Sequence, residues 1–244
     1  MLPEKLASSA LFLDLDGTLI DIAPTPDGVR IPDDLAGLLA ELTRGLGGAL
    51  AIVTGRPIRD VDRFLAPLAP VAAGVHGAEI RAACRGAVRL MAEPIDGAVI
   101  AAVEEMAAAE AGTVVEIKRA SVAVHYRLAP AAEPRLEAAL LRILHDCPEH
   151  LILCRGRKVL EVVPAHVSKG AALEMLLALP DFRGRQPVMV GDDISDQSAF
   201  AAAARLGGCG LKVAGEHFGR AEAFFSGPAE VRAWLTTLAR SLAT

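Results

Sequence analysis

Short apolar runs alternate with helix-like patterns through the first and last thirds of this chain. The runs at 10–15, 49–54 and 71–75 read as buried strands, and the segments 31–48 and 57–68 between them have the spacing of helices. Strands that alternate with helices at short connections favour βαβ units. The alternation therefore predicts an α/β fold built on a doubly wound parallel sheet.

Composition and charge narrow the classes of protein that fit. The chain has 244 residues, of which 52% are apolar and 23% charged, as in a folded globular protein. Its formal net charge of −5 leaves no basic surplus, so we expect no nucleic-acid partner. The four cysteines form no C-x-x-C pair, and no uncharged run has the length of a membrane span. We therefore expect a cytoplasmic protein with reduced thiols and no membrane partner.

The pattern changes between Pro94 and Pro164. A long helix pattern, two strand patterns, a second helix and a hairpin follow one another there, as in an α+β layer with antiparallel strands. After Pro164 the strand and helix alternation returns. We therefore predict a core domain formed by residues 1–94 and 165–244, with an inserted α+β cap domain at 95–164.

Polar residues follow the predicted core strands at their carboxyl ends. Asp14 and Asp16 end the first strand, Thr54 ends the second and Asp192 follows a later one, where an open α/β sheet binds its ligand. Carboxylates suit Mg²⁺, and one of them can attack phosphorus. Lys169 begins a helix, against the helix dipole, and needs an anion, either phosphate or the Asp14 carboxylate. Each signal alone also fits a turn or a cap, but together they favour phosphoryl transfer.

Four segments in this order resemble the motifs of the haloacid dehalogenase (HAD) superfamily of phosphatases, namely "DLDGTL", "IVTGR", "SKG" and "VGDDISD". The resemblance implies a HAD-like Rossmannoid core with a cap of the C2 type, and it implies roles for single residues. Asp14 is the implied nucleophile, and Asp16 the acid and base. Thr54 and Lys169 hold the phosphoryl group, while Asp14, the Asp16 carbonyl and Asp192 bind Mg²⁺, supported by Asp193 and Asp196.

Three further segments are similar to the trehalose-6-phosphate phosphatase family, namely "GVHGAE", "VEIKRASVAVHYR" and "KVLEVVP". This similarity implies Mg²⁺-dependent hydrolysis of trehalose 6-phosphate to trehalose and phosphate through an aspartyl-phosphate. The residues it implies for substrate binding are Gly55, Arg56, His76, Gly77, Glu79, Glu116, Lys118, His125, Arg127, Lys158 and Glu161. On chemistry alone, the charged residues of the cap strands fit the solvated face of a half-covered sheet equally well.

The chain departs from that family's pattern at three positions. Gln197 replaces an acidic residue, Thr54 a serine, and Val163 a basic residue in "EVVP". None of these removes a group that the chemistry requires, but Val163 leaves the sugar open. A phosphatase for sucrose phosphate or mannosyl-phosphoglycerate is one alternative, and a catalytically silent regulator that binds sugar phosphate is another. Any trehalose-phosphate synthase partner would be a separate chain.

Overall fold

The computed structural model describes residues 6–23, 28–147 and 150–243. The chain divides into two compact units. The first, here called the core unit, comprises Met1–Leu90 and Ser168–Thr244, and the second, the inserted unit, comprises Met91–Val167. Domain boundaries at residues 94 and 165 stay a prediction about where independently folding domains begin and end.

Eleven strands and seven α-helices form in the described residues. The strands are β1 (Ser9–Leu13), β2 (Leu50–Val53), β3 (Val71–Gly74), β4 (Glu79–Arg81), β5 (Val88–Leu90), β6 (Val114–Ile117), β7 (Val122–His125), β8 (Leu151–Gly156), β9 (Val159–Pro164), β10 (Gln186–Gly191) and β11 (Cys209–Lys212). The helices are α1 (Leu35–Gly45), α2 (Ile58–Phe64), α3 (Gly97–Ala108), α4 (Glu133–His145), α5 (Lys169–Leu177), α6 (Gln197–Arg205) and α7 (Pro228–Leu242).

The core unit is built on one seven-stranded sheet in the order β11-β10-β1-β2-β3-β4-β5. The strands from β11 to β3 pair in parallel, which confirms the α/β fold expected from the alternation. Strands β4 and β5 add an antiparallel edge that the sequence pattern did not predict. Each has only three residues, too few for a periodicity to be read.

The order of the strands makes β1 the switch point of the sheet. From β1 the chain continues to β2 on one side, and it returns as β10 on the other. Leu13 lies opposite Val190 in the parallel register of β1 and β10. The residues that follow these two strands therefore emerge side by side, where open α/β sheets hold their ligands.

Apolar burial on both faces keeps the central strands in place. All five residues of β1 and all four of β2 are buried, as parallel strands covered by helices require. Helix α1 packs against α7, and α5 packs against α6. The Ser168 hydroxyl accepts a hydrogen bond from the Ala171 amide (3.1 Å) and caps α5. No described helix has the length and hydropathy needed to cross a bilayer.

The inserted unit has its own antiparallel sheet, in the order β6-β7-β9-β8. Alternate residues of the central strands, Val122 and Val124 of β7 and Leu160 and Val162 of β9, pack with α3 and α4 in a separate hydrophobic core. The residues between them therefore face away from the helices. Leu128, three residues beyond the end of β7 at His125, is 73% exposed.

Candidate active site

Three buried carboxylates meet at the switch point of the core sheet. Asp14 follows β1, Asp192 follows β10, and Asp196 ends a 3₁₀ turn at Ile194–Asp196 just before α6. One oxygen of each lies within 4.8 Å of one oxygen of each of the others. The sequence predicts that Asp14 and Asp192 lie at a common edge of the sheet, and the fold brings them together there. The family resemblance implies a supporting role for Asp196, and the carboxylate itself lies within this group.

Lys169 holds two of these carboxylates. Its ammonium Nζ donates to Asp14 Oδ1 at 2.9 Å and to Asp196 Oδ1 at 2.6 Å, and its side chain is 3% exposed. The second oxygen of Asp196 accepts from the Asp193 amide at 2.9 Å. Asp193 in turn caps the 3₁₀ turn through the Ile194 amide. The anion that a lysine at the start of α5 requires is therefore supplied by the protein.

Negative charge exceeds positive charge in this cluster of Asp14, Asp192, Asp196 and Lys169. Burial raises the pKa of Asp14 well above its usual value, and the neighbouring carboxylates add to that shift while Lys169 opposes it. Burial, together with Asp196 and Asp193, raises the pKa of Asp192 to about 7. Burial alone would lower the pKa of Lys169, but Asp14 and Asp196 outweigh it and raise the pKa. One ammonium therefore does not neutralise three carboxylates.

A hard divalent cation fits the donor set of this cluster. Three closely spaced carboxylate oxygens in surroundings that disfavour their charge are the ligands that Mg²⁺ and similar ions select. The backbone leaves room for them: Gly17 has φ +76°, and a Cβ there would lie 2.1 Å from Asp192 Oδ2. The Thr18 hydroxyl also donates to Asp192 Oδ1, at 3.3 Å. Sequence reasoning missed Thr18, although it stands in the first motif.

The Asp16 carboxylate has a different partner. Arg56 binds it with two nitrogens, Nε to Oδ2 at 2.6 Å and Nη2 to Oδ1 at 2.8 Å. The Asp16 side chain is 30% exposed, whereas that of Asp14 is 6% exposed. The family resemblance implies substrate binding for Arg56, and its pairing with Asp16 is not evident from the sequence. The two lie 40 residues apart, and no local pattern links them.

The loops after β2 and β3 carry the remaining predicted site residues of the core unit. Thr54 is 1% exposed at the end of β2, and its hydroxyl accepts from the Arg56 amide at 3.2 Å. The His76 amide donates to the Thr54 carbonyl at 3.1 Å, which joins the two loops. Glu79, at the start of β4, accepts from the Ile58 amide at 2.7 Å and thereby ties β4 to the first turn of α2.

The inserted unit gathers four of its predicted residues on the sheet face away from α3 and α4. Lys118 Nζ donates to Glu161 Oε1 at 2.9 Å, and His125 Nε2 lies 2.8 Å from Glu116 Oε2. Ser121, not predicted, also donates to Glu161. We call this set, Glu116, Lys118, Ser121, His125 and Glu161, the polar face. Because Glu161 is 4% exposed and Lys118 8%, the network differs from the solvated face that chemistry alone allowed.

The remaining two predicted residues of the inserted unit are Lys158 and Arg127. Lys158 occupies the turn between β8 and β9 at φ +57°, and its ammonium stands 6.0 Å from the centre of the Tyr126 ring. Arg127 follows Tyr126 beyond the end of β7 and is partly buried. Both residues are brought to the same end of the β7–β9 pair, where the Tyr126 amide donates to the Lys158 carbonyl.

One contact beside the cluster lay outside the predicted set. His217 Nε2 lies 3.0 Å from Asp193 Oδ1, in the segment after β11. That segment folds back on the sheet because the amides of Phe224 and Phe225 both donate to the Lys212 carbonyl. No motif in the sequence marks His217, and only the tertiary fold brings it to Asp193.

Comparison with known proteins assigns the chain to a family. The model of the family described as trehalose-phosphatase matches residues 12–222. A probable trehalose-phosphate phosphatase of Sinorhizobium fredii is 40% identical over 87% of this chain and 80% of its own length. The trehalose-6-phosphate phosphatase of Escherichia coli is 36% identical over 98% of this chain and 90% of its own length.

Solved structures agree on the fold. The C-terminal domain of a trehalose-6-phosphate phosphatase from C. albicans matches with a TM-score of 0.82 at 20% identity, over 96% of this chain and 93% of that one. A sucrose-phosphatase from Synechocystis matches with a TM-score of 0.58 at 16% identity, over 96% and 98%. These likenesses confirm a HAD-like core with its inserted α+β unit. The chain therefore belongs to the trehalose-phosphatase family of phosphoric monoester hydrolases in the HAD superfamily.

Proposed function

We propose that this enzyme hydrolyses trehalose 6-phosphate to trehalose and phosphate, with Asp14 as the nucleophile. One observation carries the proposal: Lys169 joins Asp14 to Asp196 at the switch point of the sheet, in a chain of this family. A lysine that holds a buried carboxylate fixes the direction of its oxygens. Its positive charge also attracts a phosphoryl group brought to that carboxylate.

The proposed reaction has two steps on one carboxylate. In the first, an Asp14 oxygen attacks phosphorus, the bond from phosphorus to sugar O6 breaks, and Asp16 gives its proton to O6. In the second, Asp16 takes a proton from water, whose oxygen attacks phosphorus, so that phosphate leaves and the Asp14 carboxylate returns. Uncatalysed hydrolysis of phosphate monoesters is so slow that roughly 20 kcal/mol of barrier reduction is needed. Several groups must therefore act together.

Mg²⁺ is the metal we propose for the site. Asp14, Asp192 and the backbone carbonyl of Asp16 would hold it, with Asp193 and Asp196 orienting that set through the capped turn before α6. Bound there, it would neutralise carboxylate charge and draw electron density from the phosphoryl oxygens. Thr54 and Lys169 would bind the remaining phosphoryl oxygens, helped by the amides of Gly55 and Arg56.

Arg56 orients Asp16, and one of its two contacts would have to open before Asp16 carries the proton that it gives to O6. The bidentate contact keeps the Asp16 carboxylate in one orientation near the carboxyl ends of β1 and β2. Because that side chain is 30% exposed, a substrate can reach it. Arg56 would therefore meet the substrate and hold the acid at the same time.

We further propose that the polar face binds the sugar part of the substrate. Hydroxyl groups of a disaccharide need both donors and acceptors, and the Lys118–Glu161 ion pair and the His125–Glu116 contact offer both. Lys158 and Arg127 would add cations at the end of the same strands. Val163 lies two residues after Glu161 and therefore on the same face of β9. It is buried and offers no polar group. For that reason the choice of sugar needs a test of its own.

The proposed setting is the cytoplasm, with a small sugar phosphate as substrate. All four cysteines, Cys84, Cys147, Cys154 and Cys209, are free thiols, which suits a reducing compartment. Burial and the neighbouring Glu161 raise the pKa of Cys154 to about 11, so this thiol stays protonated and unreactive near neutral pH. A trehalose-phosphate synthase is the proposed source of this substrate.

The substrate is tested by phosphate release from a panel of sugar phosphates in excess Mg²⁺. We expect kcat/KM for trehalose 6-phosphate to exceed that for sucrose 6-phosphate, mannosyl-phosphoglycerate and glucose 6-phosphate by at least about tenfold. A higher value for another member would reassign the sugar and keep the phosphatase core. Absence of release from every member, in a folded preparation that binds trehalose 6-phosphate, would favour the silent regulator.

Metal binding predicts a pH-dependent gain in stability. The folded pKa of Asp192, about 7, lies above its unfolded value, so protonation stabilises the metal-free chain fully below the unfolded pKa, and this contribution is lost as pH rises through 7. Mg²⁺ competes with those protons. Thermal unfolding with Mg²⁺ or with chelator should therefore give a Tm difference that is small at pH 5 and grows up to about pH 7.5.

Two variants make this measurement specific. Asp192→Asn should remove most of the Tm difference, because it removes a proposed metal ligand and also its repulsion of the neighbouring carboxylates. Asp34→Asn, at an exposed carboxylate before α1 that does not cap this helix, should leave it unchanged. A gain from Mg²⁺ that is the same at pH 5 and pH 7.5, or that persists in Asp192→Asn, would contradict a metal held by these carboxylates.

The polar face is tested by comparing two substrates. Lys118→Ala, His125→Ala and Glu161→Gln should each lower kcat/KM for trehalose 6-phosphate about ten- to a hundredfold, and barely affect p-nitrophenyl phosphate, which has no sugar. Arg155→Ala is the matched control, because Arg155 pairs with Glu137 on the helix side of the same sheet. Equal losses on both substrates would show that these residues serve folding or the core site instead.

A further inference from the structure

The loop after β3 holds two residues in a backbone conformation that they rarely adopt. In Gly74–Gly77, here called the GVHG loop, Val75 has φ +48° and His76 has φ +55°. Positive φ is uncommon for any residue except glycine, and for a β-branched valine it is a genuine outlier. Such a conformation persists only where the surroundings of the residue enforce it. The contacts of the loop therefore indicate the role of this strained conformation.

Hydrogen bonds tie the GVHG loop to the segment that carries Thr54. The Val75 amide donates to the Arg56 carbonyl at 3.0 Å, and the His76 amide donates to the Thr54 carbonyl at 3.1 Å. Gly74 makes this approach possible, since a Cβ there would lie 2.8 Å from the Arg56 carbonyl oxygen. Two successive amides of the strained loop thus hold the residues on either side of Gly55.

The His76 ring packs against Gly55 itself. A Cβ built on Gly55 would lie 2.9 Å from both Cε1 and Nε2 of His76, so the ring occupies the space that a side chain would need. His76 is 9% exposed, and its imidazole is enclosed rather than directed to solvent. The loop therefore holds Gly55 in two ways, through the His76 ring and through backbone hydrogen bonds to the residues on either side of it.

The same loop touches the segment that carries Lys169. Gly77 has φ +110°, and a Cβ there would lie 3.0 Å from the Ser168 carbonyl oxygen and 3.0 Å from Ala172 Cβ. Ser168 is the residue that caps α5 and precedes Lys169. The GVHG loop thus contacts both segments that are proposed to bind the phosphoryl group, the one with Thr54 and the one with Lys169.

We infer that His76 is a positioning residue, which acts through Gly55 to hold the Thr54–Arg56 segment against the transferring phosphoryl group. The inference rests on the proposed function. The family resemblance implies substrate binding for His76, whereas the contacts of its ring and amide assign it to the core backbone. A positioning residue serves every phosphomonoester, and a sugar contact serves only the sugar. This difference makes the two roles separable.

The test compares His76→Ala with the wild-type enzyme on trehalose 6-phosphate and p-nitrophenyl phosphate. Because a displacement of about 1 Å can cost a hundredfold, kcat should fall about ten- to a hundredfold by the same factor on both, with KM changed less than about threefold. Inhibition by orthovanadate, which mimics the transferring phosphoryl group, should weaken in parallel. His145→Ala, at an exposed histidine of α4, is the control and should match wild type.

A double-mutant cycle tests whether His76 acts through Gly55. Gly55→Ala places a methyl group against the ring and should itself lower kcat, while in Gly55→Ala/His76→Ala the methyl group has room. The two losses should therefore not add, and the double variant should be no slower than the slower single variant. His76→Phe, which keeps a flat ring on Gly55, should recover at least about a third of wild-type kcat.

Several outcomes would overturn the inference. They are a loss confined to trehalose 6-phosphate, multiplicative losses in the cycle, a His76→Phe variant as slow as His76→Ala, or a loss that disappears when the assay temperature is lowered in proportion to a reduced Tm. The wild-type measurement distinguishes a failure of this inference from a failure of the proposed function. If the wild-type enzyme releases phosphate from neither substrate, the proposed function fails, and if it does while His76→Ala is equally fast, only this inference fails.

Discussion

The contact of Lys169 with Asp14 and Asp196 is the interaction on which the rest of the site depends. Buried carboxylates at this density are unfavourable, and burial raises the pKa of Asp14 and Asp192 accordingly. Lys169 offsets part of that cost at 2.9 and 2.6 Å and leaves an excess of negative charge. That excess is what a divalent cation would neutralise, so the ion pair and the proposed metal depend on one another.

The fold assembles the cluster by bringing the ends of β1 and β10 side by side, and not through a local sequence motif. Parallel pairing of β1 with β10 aligns Asp14 with the residues after Gly191. Two close approaches then need glycine: Gly17 beside Asp192, and Gly191, where a Cβ would lie 2.4 Å from the Asp196 carboxylate. Side chains at these positions would displace the carboxylates directly. Glycine is therefore required here for space, and at Gly17 for its positive φ as well.

Much of the fold and part of the site follow from the sequence. The buried strands, the insertion and the meeting of Asp14 with Asp192 were predictable because apolar runs and strand ends obey simple rules. The β4–β5 edge was not, since three-residue strands carry no period. The pairing of Asp16 with Arg56 and of Asp193 with His217 was not either, because these contacts join segments that only the tertiary fold brings together.

Charged residues of the inserted unit illustrate the same limit. The charged residues of the cap strands were expected on one face of a half-covered sheet, and Glu116, His125 and Glu161 do lie opposite the apolar core. The sequence pattern could not show that Lys118 and Glu161 form a buried pair, because pairing across strands depends on register. The sequence motif "GVHGAE" likewise gave no sign of positive φ at Val75, a conformation that its residue types disfavour.

The central claim, that Asp14 accepts the phosphoryl group, is tested most directly by trapping the acyl phosphate. Asp16→Asn should slow its hydrolysis while an activated leaving group, p-nitrophenol, still departs without an acid. We expect a burst of about one p-nitrophenol per enzyme in Mg²⁺. Acid quenching and borohydride reduction should then convert Asp14 alone to homoserine, as read by mass spectrometry of the peptide. A burst with Asp14 unmodified, or with the label on another carboxylate, would contradict the account.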